Sequence, residues 1–191
     1  MDIANKISME LDKHEKKYDF ASLVVCGGNS VLEIFKNLSL KEINWKNIVV
    51  TLVDDRLVSD RHRDSNRSLI KKTLLINNAS KAKFLPLNSD IISSKKIKLP
   101  FTVMLLSMSN DGHFASIFPN MLDDQNVVSP EAMPDVLTTD PQGMPNHARI
   151  TMNFALILRS KSIFLLVHGE KKLKVFNLAR TNRDLPINRF L

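Results

Sequence analysis

The chain has 191 residues, of which 43% are apolar and 25% charged, and it carries a net charge of +7 at pH 7 with a sequence pI of about 9.6. Length and composition predict one globular domain, residues 1–191. They exclude a bilayer-spanning segment and a signal peptide, and a single cysteine excludes an internal disulfide. We therefore expect a cytoplasmic protein without membrane contact. Aromatic residues make up 6% and are mostly Phe within apolar runs, so the positive charge indicates a small anionic substrate rather than a nucleic acid.

The first half of the chain alternates amphipathic helical segments with short apolar ones. Ile3, Ile7 and Leu11 recur at near-helical spacing among charged residues, which predicts the first helix. Apolar runs that end in glycine or in charged residues predict strands, and Ser65 lies in a stretch typical of a helix N-cap. The predicted elements are a helix over 2–17, a strand over 20–26, a helix over 31–38, a strand over 45–53, a helix over 67–75 and a short strand over 84–87.

The second half continues the alternation around one long connection. An apolar run predicts a buried strand over 101–106, and a helix is expected to begin within 115–118. Four prolines and little periodicity predict a long loop over 121–146, and long loops in compact domains often act as lids or binding loops. The remaining predictions are a mixed apolar stretch over 148–158, a strand over 162–167, a helix over 171–180 and an irregular end over 181–191.

The alternation of strands and helices predicts the architecture. It is typical of a parallel sheet whose strands are joined by right-handed crossover helices. We therefore predict a three-layer α/β fold with a mostly parallel, Rossmann-like sheet and helices on both faces. In such a sheet the carboxyl ends of the strands share one edge, and ligands bind there.

Polar groups follow several predicted strands and should converge at that edge. The turn Gly27-Gly28-Asn29-Ser30 opens a helix, and its glycines let backbone N–H groups approach an anion closely. Asp54 and Arg56 follow the next strand. Lys172 lies in the first turn of the last helix, where a cation opposes the helix dipole unless an anion is near. Each feature also has an ordinary explanation, as a turn, a surface ion pair or a solvated lysine.

His113 follows the predicted strand 101–106, directly after the break signal Asp111-Gly112. Imidazole is the side chain best suited to move protons near neutral pH. Taken alone, a polar loop residue with a satisfied hydrogen bond is the simpler interpretation. Together with glycine turns and cations at the same edge, His113 predicts a proton-transfer group beside a phosphate-bearing substrate.

Two other chemistries find less support in the sequence. Cys26 stands at a strand end before a glycine turn, which permits a thiol nucleophile, but no neighbouring base is evident and a free cysteine is usually a small buried residue. The spacing of His113, His147 and His168 matches no ligand motif, so we expect no metal. His62 lies in a charged loop and is interpreted as solvated.

Seven short motifs occur in order along nearly the whole chain. They are Cys26-Gly27-Gly28-Asn29-Ser30-Val31, Thr51-Leu52-Val53-Asp54-Asp55-Arg56, Asp64-Ser65-Asn66, the segment from Ser107 to Pro119, Asn146-His147-Ala148-Arg149-Ile150-Thr151, Gly169-Glu170-Lys171-Lys172 and Leu185-Pro186-Ile187-Asn188-Arg189. In this order they resemble the motifs of the 6-phosphogluconolactonases, within a wider group that includes glucosamine-6-phosphate isomerase/deaminase.

The resemblance implies an enzyme that hydrolyses 6-phosphogluconolactone to 6-phosphogluconate in the pentose phosphate pathway, without a metal or an organic cofactor. On this basis we expect His113 to be the general base on the attacking water and Asp54 to support the histidine or the water. Backbone N–H groups near Gly112 would stabilise the oxyanion. The residues expected to bind the phosphate group are Gly27, Gly28, Asn29, Ser30, Arg56, Arg149 and Lys172.

The chain departs from the family pattern at several positions. Ser107 and Ser109 replace two glycines of the histidine loop, Asn29 replaces a hydroxyl residue, and Val31 replaces a proline. The chain stops soon after Arg189, where the family usually continues through another apolar segment and a helix. We therefore expect a sheet edge that is uncovered or shielded by a partner subunit, in a monomer or weak homodimer.

Two alternative functions stay open at this point. An amino-sugar-phosphate isomerase/deaminase would carry Asn-Glu-Pro after the histidine segment, whereas this chain has Ser116-Ile117-Phe118-Pro119, without a carboxylate. A non-catalytic sugar-phosphate-binding protein is compatible with the substituted loop glycines and the early end of the chain.

Overall fold

The protein is described by a computed structural model over residues 2–93 and 96–191. The strands are Ala21–Val25 (β1), Ile48–Leu52 (β2), Asp54–Arg56 (β3), Lys83–Phe84 (β4), Phe101–Ser107 (β5), Val136–Gln142 (β6), His147–Met152 (β7) and Ser160–Leu166 (β8). The α-helices are Ile3–Tyr18 (α1), Leu32–Ser39 (α2), Asn66–Thr73 (α3), Gln125–Val128 (α4), Phe154–Ile157 (α5) and Glu170–Ala179 (α6). Short 3₁₀ helices cover Asn29–Val31, Trp45–Asn47, Asn77–Lys81, Pro119–Met121 and Pro186–Phe190.

A parallel sheet with strand order β4-β2-β1-β5-β8 forms the centre of the molecule. Every residue of β1 and β2 is buried, and so is all of β5 except Ser107. Continuous apolar runs of this kind belong to strands that are covered on both faces. The predicted α/β fold with a mostly parallel sheet is therefore confirmed.

The first helix packs its apolar face onto this sheet. Ile7 and Leu11 are fully buried, and α1 contacts α2, β1 and β5. Its opposite face is charged and carries the exposed ion pair between Lys16 and Asp12. The helix ends where Asp19 adopts a left-handed conformation with φ +55°, close to the end predicted from the sequence.

A second sheet, antiparallel and with strand order β3-β7-β6, is absent from the sequence predictions. The chain leaves the parallel sheet at Leu52 and enters the antiparallel one at Asp54. In the register of β3 and β7, Asp54 pairs with Thr151 and Arg56 pairs with Arg149. The second sheet therefore delivers charged residues to the carboxyl end of β2.

Two predictions for the second half of the chain are wrong. Residues 115–118 do not begin a helix, because Ala115 has φ +50° and Phe114 forms isolated bridges with Met108 and Ile117. The range 121–146 is not a structureless loop, because it contains α4 and β6. The stretch 148–158 contains most of β7 and all of α5, and the end over 181–191 includes a 3₁₀ helix.

The last strand, β8, is an edge of the parallel sheet. It pairs with β5, and none of its residues is fully buried. None of the helices within residues 2–93 and 96–191 combines the length and the apolar character needed to cross a membrane.

Candidate active site

A cavity of about 240 Å³ lies among the residues that follow β1, β2, β5 and β8. Every residue that the sequence analysis assigned to the site lines it. These residues are Gly27, Gly28, Asn29, Ser30, Asp54, Arg56, His113, Arg149 and Lys172. The expected convergence of glycine turn, cations and imidazole at one edge of the sheet is therefore present.

The turn after β1 needs glycine for two different reasons. A Cβ atom on Gly27 would lie 2.0 Å from Oδ1 of Asn66, so a larger residue does not fit. Gly28 has φ +99°, a conformation that favours glycine. The following residues, Asn29–Val31, form a 3₁₀ turn that leads into α2. The start of a helical segment thus lies at the cavity, and the backbone N–H groups there lack intrahelical partners.

His113 is held by a carboxylate on its own loop. Its Nδ1 lies 2.7 Å from Oδ1 of Asp111, and its ring packs 4.4 Å from the ring of Phe118, measured between centroids. Because an ionised carboxylate accepts only, Nδ1 carries the proton and Nε2 is the free acceptor of the neutral ring. Asp111 was missed by the sequence analysis, although its position two residues before the histidine makes it a candidate partner.

Burial is the largest single influence on the pKa of Asp111 and acts to raise it. The hydrogen bond from His113, its positive charge when protonated and its backbone N–H together outweigh burial and leave the pKa below its usual value. Asp111 is therefore ionised at neutral pH and can accept from His113. This is the arrangement in which a carboxylate orients a general base.

The side chain of Asp54 is hydrogen-bonded to a serine and not to His113. It is 5% exposed, and the Ser116 hydroxyl donates to its Oδ2 at 2.6 Å. The carboxylate that is hydrogen-bonded to His113 is Asp111, and the expectation that Asp54 supports the histidine or the water stays a prediction. Asp54 lines the cavity as a buried carboxyl group.

Arg56 is fixed by the residues that open α3. Its Nη1 donates to the carbonyl of Asp64 and to Oδ1 of Asn66, both at 2.8 Å. Asn66 in turn donates from Nδ2 to the carbonyl of Asp54. Asp55 accepts from the backbone N–H groups of Asn66 and Arg67, and burial raises its pKa in spite of these bonds. The neighbouring acid thus caps α3, and Asp54 faces the cavity.

Arg149 lies opposite Arg56 on the adjacent strand. It is 3% exposed, and it donates from Nη2 to the carbonyl of Pro145 at 2.9 Å and from Nε to that of Gln142 at 3.3 Å. Burial, followed by the charge of Arg56, lowers the pKa of Arg149. Like charges directly opposite on neighbouring strands repel each other, so this pair is favourable when an anion binds beside it. The paired arginines are the strongest indication of a phosphate site.

Asn29, Ser30 and Lys172 complete the polar wall of the cavity. Within residues 2–93 and 96–191 their side chains make no hydrogen bond or ion pair, which leaves them free for a ligand. Lys172 follows Gly169 and Glu170 into α6. It brings a third positive charge to the cavity, beside Arg56 and Arg149.

The substituted glycines of the histidine loop require no special backbone conformation. Neither Ser107 nor Ser109 has positive φ, whereas Gly112 has φ +78°. The N–H of Gly112 donates to the carbonyl of Ser109 at 3.2 Å, and the N–H of Ser109 donates to the carbonyl of His113 at 2.9 Å. The N–H of Gly112 is therefore engaged, and the expectation that backbone N–H groups near Gly112 stabilise the oxyanion stays a prediction for its neighbours.

Cys26 is unsuited to act as a nucleophile. It is 3% exposed, and its thiol donates to the Ser107 hydroxyl. Burial raises the pKa of the Cys26 thiol to about 12. The reactive thiolate is thus disfavoured at neutral pH.

An open α/β sheet that carries a cationic cavity and an oriented imidazole at its strand ends defines the class of α/β proteins that bind and transform small anionic molecules. The family model of the glucosamine-6-phosphate isomerases/6-phosphogluconolactonase matches residues 1–191, and the chain belongs to this family. The resemblance noted in the sequence motifs is therefore confirmed.

Individual relatives agree with this assignment. A 6-phosphogluconolactonase of Neisseria meningitidis is 37% identical in an alignment of 183 residues that covers 88% of this chain and 78% of the relative. One from Helicobacter pylori is 32% identical in an alignment of 189 residues that covers 92% of this chain and 81% of the relative. The crystal structure of a 6-phosphogluconolactonase from Shewanella baltica superposes with a TM-score of 0.88 at 34% identity, covering 98% of this chain and 85% of that one.

Proposed function

We propose that this chain hydrolyses 6-phospho-D-glucono-1,5-lactone to 6-phosphogluconate and is thus a carboxylic ester hydrolase that acts on a lactone. The observation that carries the proposal is the meeting of the His113–Asp111 pair with Arg56 and Arg149 in one cavity. Relatives that are 31–37% identical bear the name of this activity. The substrate has a phosphate group, which suits the cations of the cavity, and a cyclic ester, which water can hydrolyse.

In the proposed mechanism His113 is a general base and then a general acid. Nε2 removes a proton from a water molecule while the water oxygen attacks C1 of the lactone, which forms the tetrahedral oxyanion. The intermediate collapses, the bond between C1 and the ring oxygen breaks, and Nε2 returns the proton to that oxygen. The product is the open-chain acid, and water is the only co-reactant.

The other side chains bind and orient the substrate in this proposal. Arg56, Arg149 and Lys172 pair with the phosphate group, whose remaining oxygens accept from the turn over residues 27–30. Asp111 keeps the imidazole in the tautomer with Nε2 unprotonated. Asp54 lines the cavity wall and offers its carboxylate to the attacking water or to a substrate hydroxyl.

An isomerase or deaminase of amino-sugar phosphates is the alternative within the family. Those enzymes use a carboxylate of an Asn-Glu-Pro segment to assist ring opening. Here the matching segment begins at Ser116, whose hydroxyl is bonded to Asp54, and it contains no acid. The site therefore favours the lactonase.

We further propose that residues 1–191 act as one domain in the cytoplasm, in the pentose phosphate pathway, as a monomer or weak homodimer.

A lactonase assay tests the proposal directly. Freshly prepared 6-phosphogluconolactone is supplied to the protein, and 6-phosphogluconate is detected through its dehydrogenase, with spontaneous hydrolysis as the blank. We expect turnover of about 1–10³ s⁻¹. Binding of 6-phosphogluconate by calorimetry without turnover above the blank would instead support a non-catalytic sugar-phosphate-binding protein. Release of ammonia from glucosamine 6-phosphate would support the deaminase.

A further inference from the structure

A group of two histidines and one aspartate lies outside the cavity, at its rim. Nε2 of His147 lies 2.9 Å from Oδ2 of Asp64, and Nδ1 of His62 lies 3.7 Å from the same oxygen. One ligand atom from each of the three residues falls within 4.8 Å of the others. The sequence analysis treated His62 as solvated and grouped His147 with other histidines, so this cluster follows from the fold alone.

We infer that His62, Asp64 and His147 form a binding site for a divalent transition-metal ion. Two imidazoles and one carboxylate are ligands that Zn²⁺, Ni²⁺ and Co²⁺ accept. Ligands of a tetrahedral Zn²⁺ lie about 3.3 Å apart, as follows from metal–ligand distances of about 2.0–2.1 Å. The separations of 2.9 and 3.7 Å lie on either side of that value. The ligand atoms of the two histidines lie within 4.8 Å of each other, so the imidazoles must approach by up to about 1.5 Å to complete the geometry.

The protonation pattern of the cluster fits this inference. The backbone N–H of Asp64 donates to Nδ1 of His62 at 3.1 Å, so this nitrogen is unprotonated, and a metal ion would replace this hydrogen bond at its single lone pair. His147 meets Asp64 through Nε2, and a metal ion would replace the shared proton between them. Arg63 is the cation nearest the carboxylate, with its Nε 3.8 Å from Oδ1, and its side chain is 91% exposed and free to move away.

The proposed ion would connect two segments that carry the cationic residues of the cavity. Asp64 accepts from Arg56 through its carbonyl oxygen at 2.8 Å. His147 begins β7, two residues before Arg149. Metal binding would therefore tie the loop before α3 to β7 and hold both arginines at the rim. Its expected consequence is a more stable protein, because an ion that binds only the folded state stabilises it.

Metal titration of the tag-free, chelator-treated protein tests the inference. Zn²⁺ binding is measured by calorimetry, and Co²⁺ binding by the visible absorption of the bound ion. We expect one ion per chain and a higher Tm with Zn²⁺. His62→Ala and His147→Ala should each weaken binding at least about tenfold, while both keep the circular dichroism spectrum of the unsubstituted chain.

Two control variants test whether the ion binds at the cluster of His62, Asp64 and His147. His168→Ala removes an exposed histidine outside the cluster and should leave the affinity within about twofold. His113→Gln removes the cavity imidazole and should also leave the affinity unchanged. Equal Zn²⁺ affinity in His62→Ala and in the unsubstituted chain, binding that is lost only in His113→Gln, or no binding at millimolar Zn²⁺ would each overturn the inference.

Discussion

At the scale of single residues, the proposed chemistry depends on the free nitrogen of His113. Its other nitrogen is committed to Asp111 at 2.7 Å, and the ring is held against Phe118. The side chain of His113 is 18% exposed, which is enough to reach a ligand in the cavity and too little for free rotation in solvent. A fixed base with one available nitrogen is what attack by water on an ester requires.

Replacement of His113 by Gln should lower kcat for lactone hydrolysis by about two to four orders of magnitude, because a positioned general base contributes about that much. Binding of 6-phosphogluconate should change less than about threefold, since the arginines remain. Calorimetry and the coupled assay measure the two effects separately. His168→Gln is the matched control and should keep full turnover. Turnover of His113→Gln equal to that of the unsubstituted chain would remove this residue from the mechanism.

Asp111→Asn tests the positioning role of the carboxylate. We expect kcat to fall by about 10- to 1,000-fold with KM nearly unchanged, because an amide no longer fixes the Nδ1–H tautomer. Asp111→Glu, which keeps the charge, should restore part of the rate. If both variants retain the unsubstituted kcat, the carboxylate does not position the base.

The lowered pKa of Asp111 also predicts a pH dependence of stability. A carboxyl whose pKa is lower in the folded state stabilises the protein above its unfolded pKa of about 3.9 and loses this contribution as the pH falls through the folded value. The difference in unfolding free energy between the unsubstituted chain and Asp111→Asn should therefore shrink as the pH drops from about 5 toward 3. A difference that is constant over this range would contradict the assigned shift.

The sequence analysis identified the residue types of the site better than it identified which of them are hydrogen-bonded to each other. His113 and the cations were predictable because glycine turns and charges at strand ends stand out against apolar runs. The partner of His113 was not predictable from spacing alone, since Asp54 and Asp111 are both acids near strand ends. Which of them reaches Nδ1 depends on the left-handed turns at Gly112 and Ala115, and hydrophobic periodicity carries no signal for those.

At the scale of elements, the turn after β1 is locked to the start of α3. Asn66 is 2% exposed and fills the space that a side chain at position 27 would need. The same amide accepts from Arg56 and donates to the carbonyl of Asp54. One buried side chain thus joins the glycine turn, the antiparallel sheet and the first turn of a helix.

Gly27→Ala should lower the unfolding free energy by about 1–3 kcal/mol and raise KM for the lactone, because the added Cβ displaces Asn66 and with it Arg56. Denaturant unfolding and steady-state kinetics measure the two effects. A double-mutant cycle with Asn66→Ala provides the control, since the alanine leaves room for the new methyl group. Gly27→Ala should then cost less in the Asn66→Ala background, and strict additivity would exclude the proposed clash.

The elements of the parallel sheet were predictable, and those of the antiparallel sheet were not. The strands β1, β2 and β5 are buried, continuous apolar runs, which are recognisable in the sequence by their composition and length. By contrast, β6 holds Thr138, Thr139 and Pro141 and shows an alternating, largely exposed pattern. As an edge strand it tolerates a proline, which a sequence analysis takes for a loop. The existence of β6 depends on pairing with β7, a tertiary contact that local composition does not report.

At the scale of the whole molecule, the cavity joins the two sheets. The parallel sheet supplies the glycine turn after β1 and His113 after β5, and the antiparallel sheet supplies Arg56 and Arg149. A ligand that contacts all of them is bound only when both sheets are folded and correctly placed. Binding should therefore stabilise the molecule as a unit, consistent with the proposal that residues 1–191 are one domain.

Thermal unfolding with 6-phosphogluconate tests this coupling. At 100 times its Kd a ligand of the folded state adds about 2.7 kcal/mol, which for a chain of this length corresponds to a rise in Tm of about 5–10 °C. We expect a single transition that moves as a whole, because neither sheet retains the ligand without the other. Arg149→Met should abolish most of the shift, while Arg180→Met, at an exposed position beyond α6, should keep it. Two separate transitions, of which the ligand moves only one, would mean that the sheets unfold independently and that the cavity does not couple them.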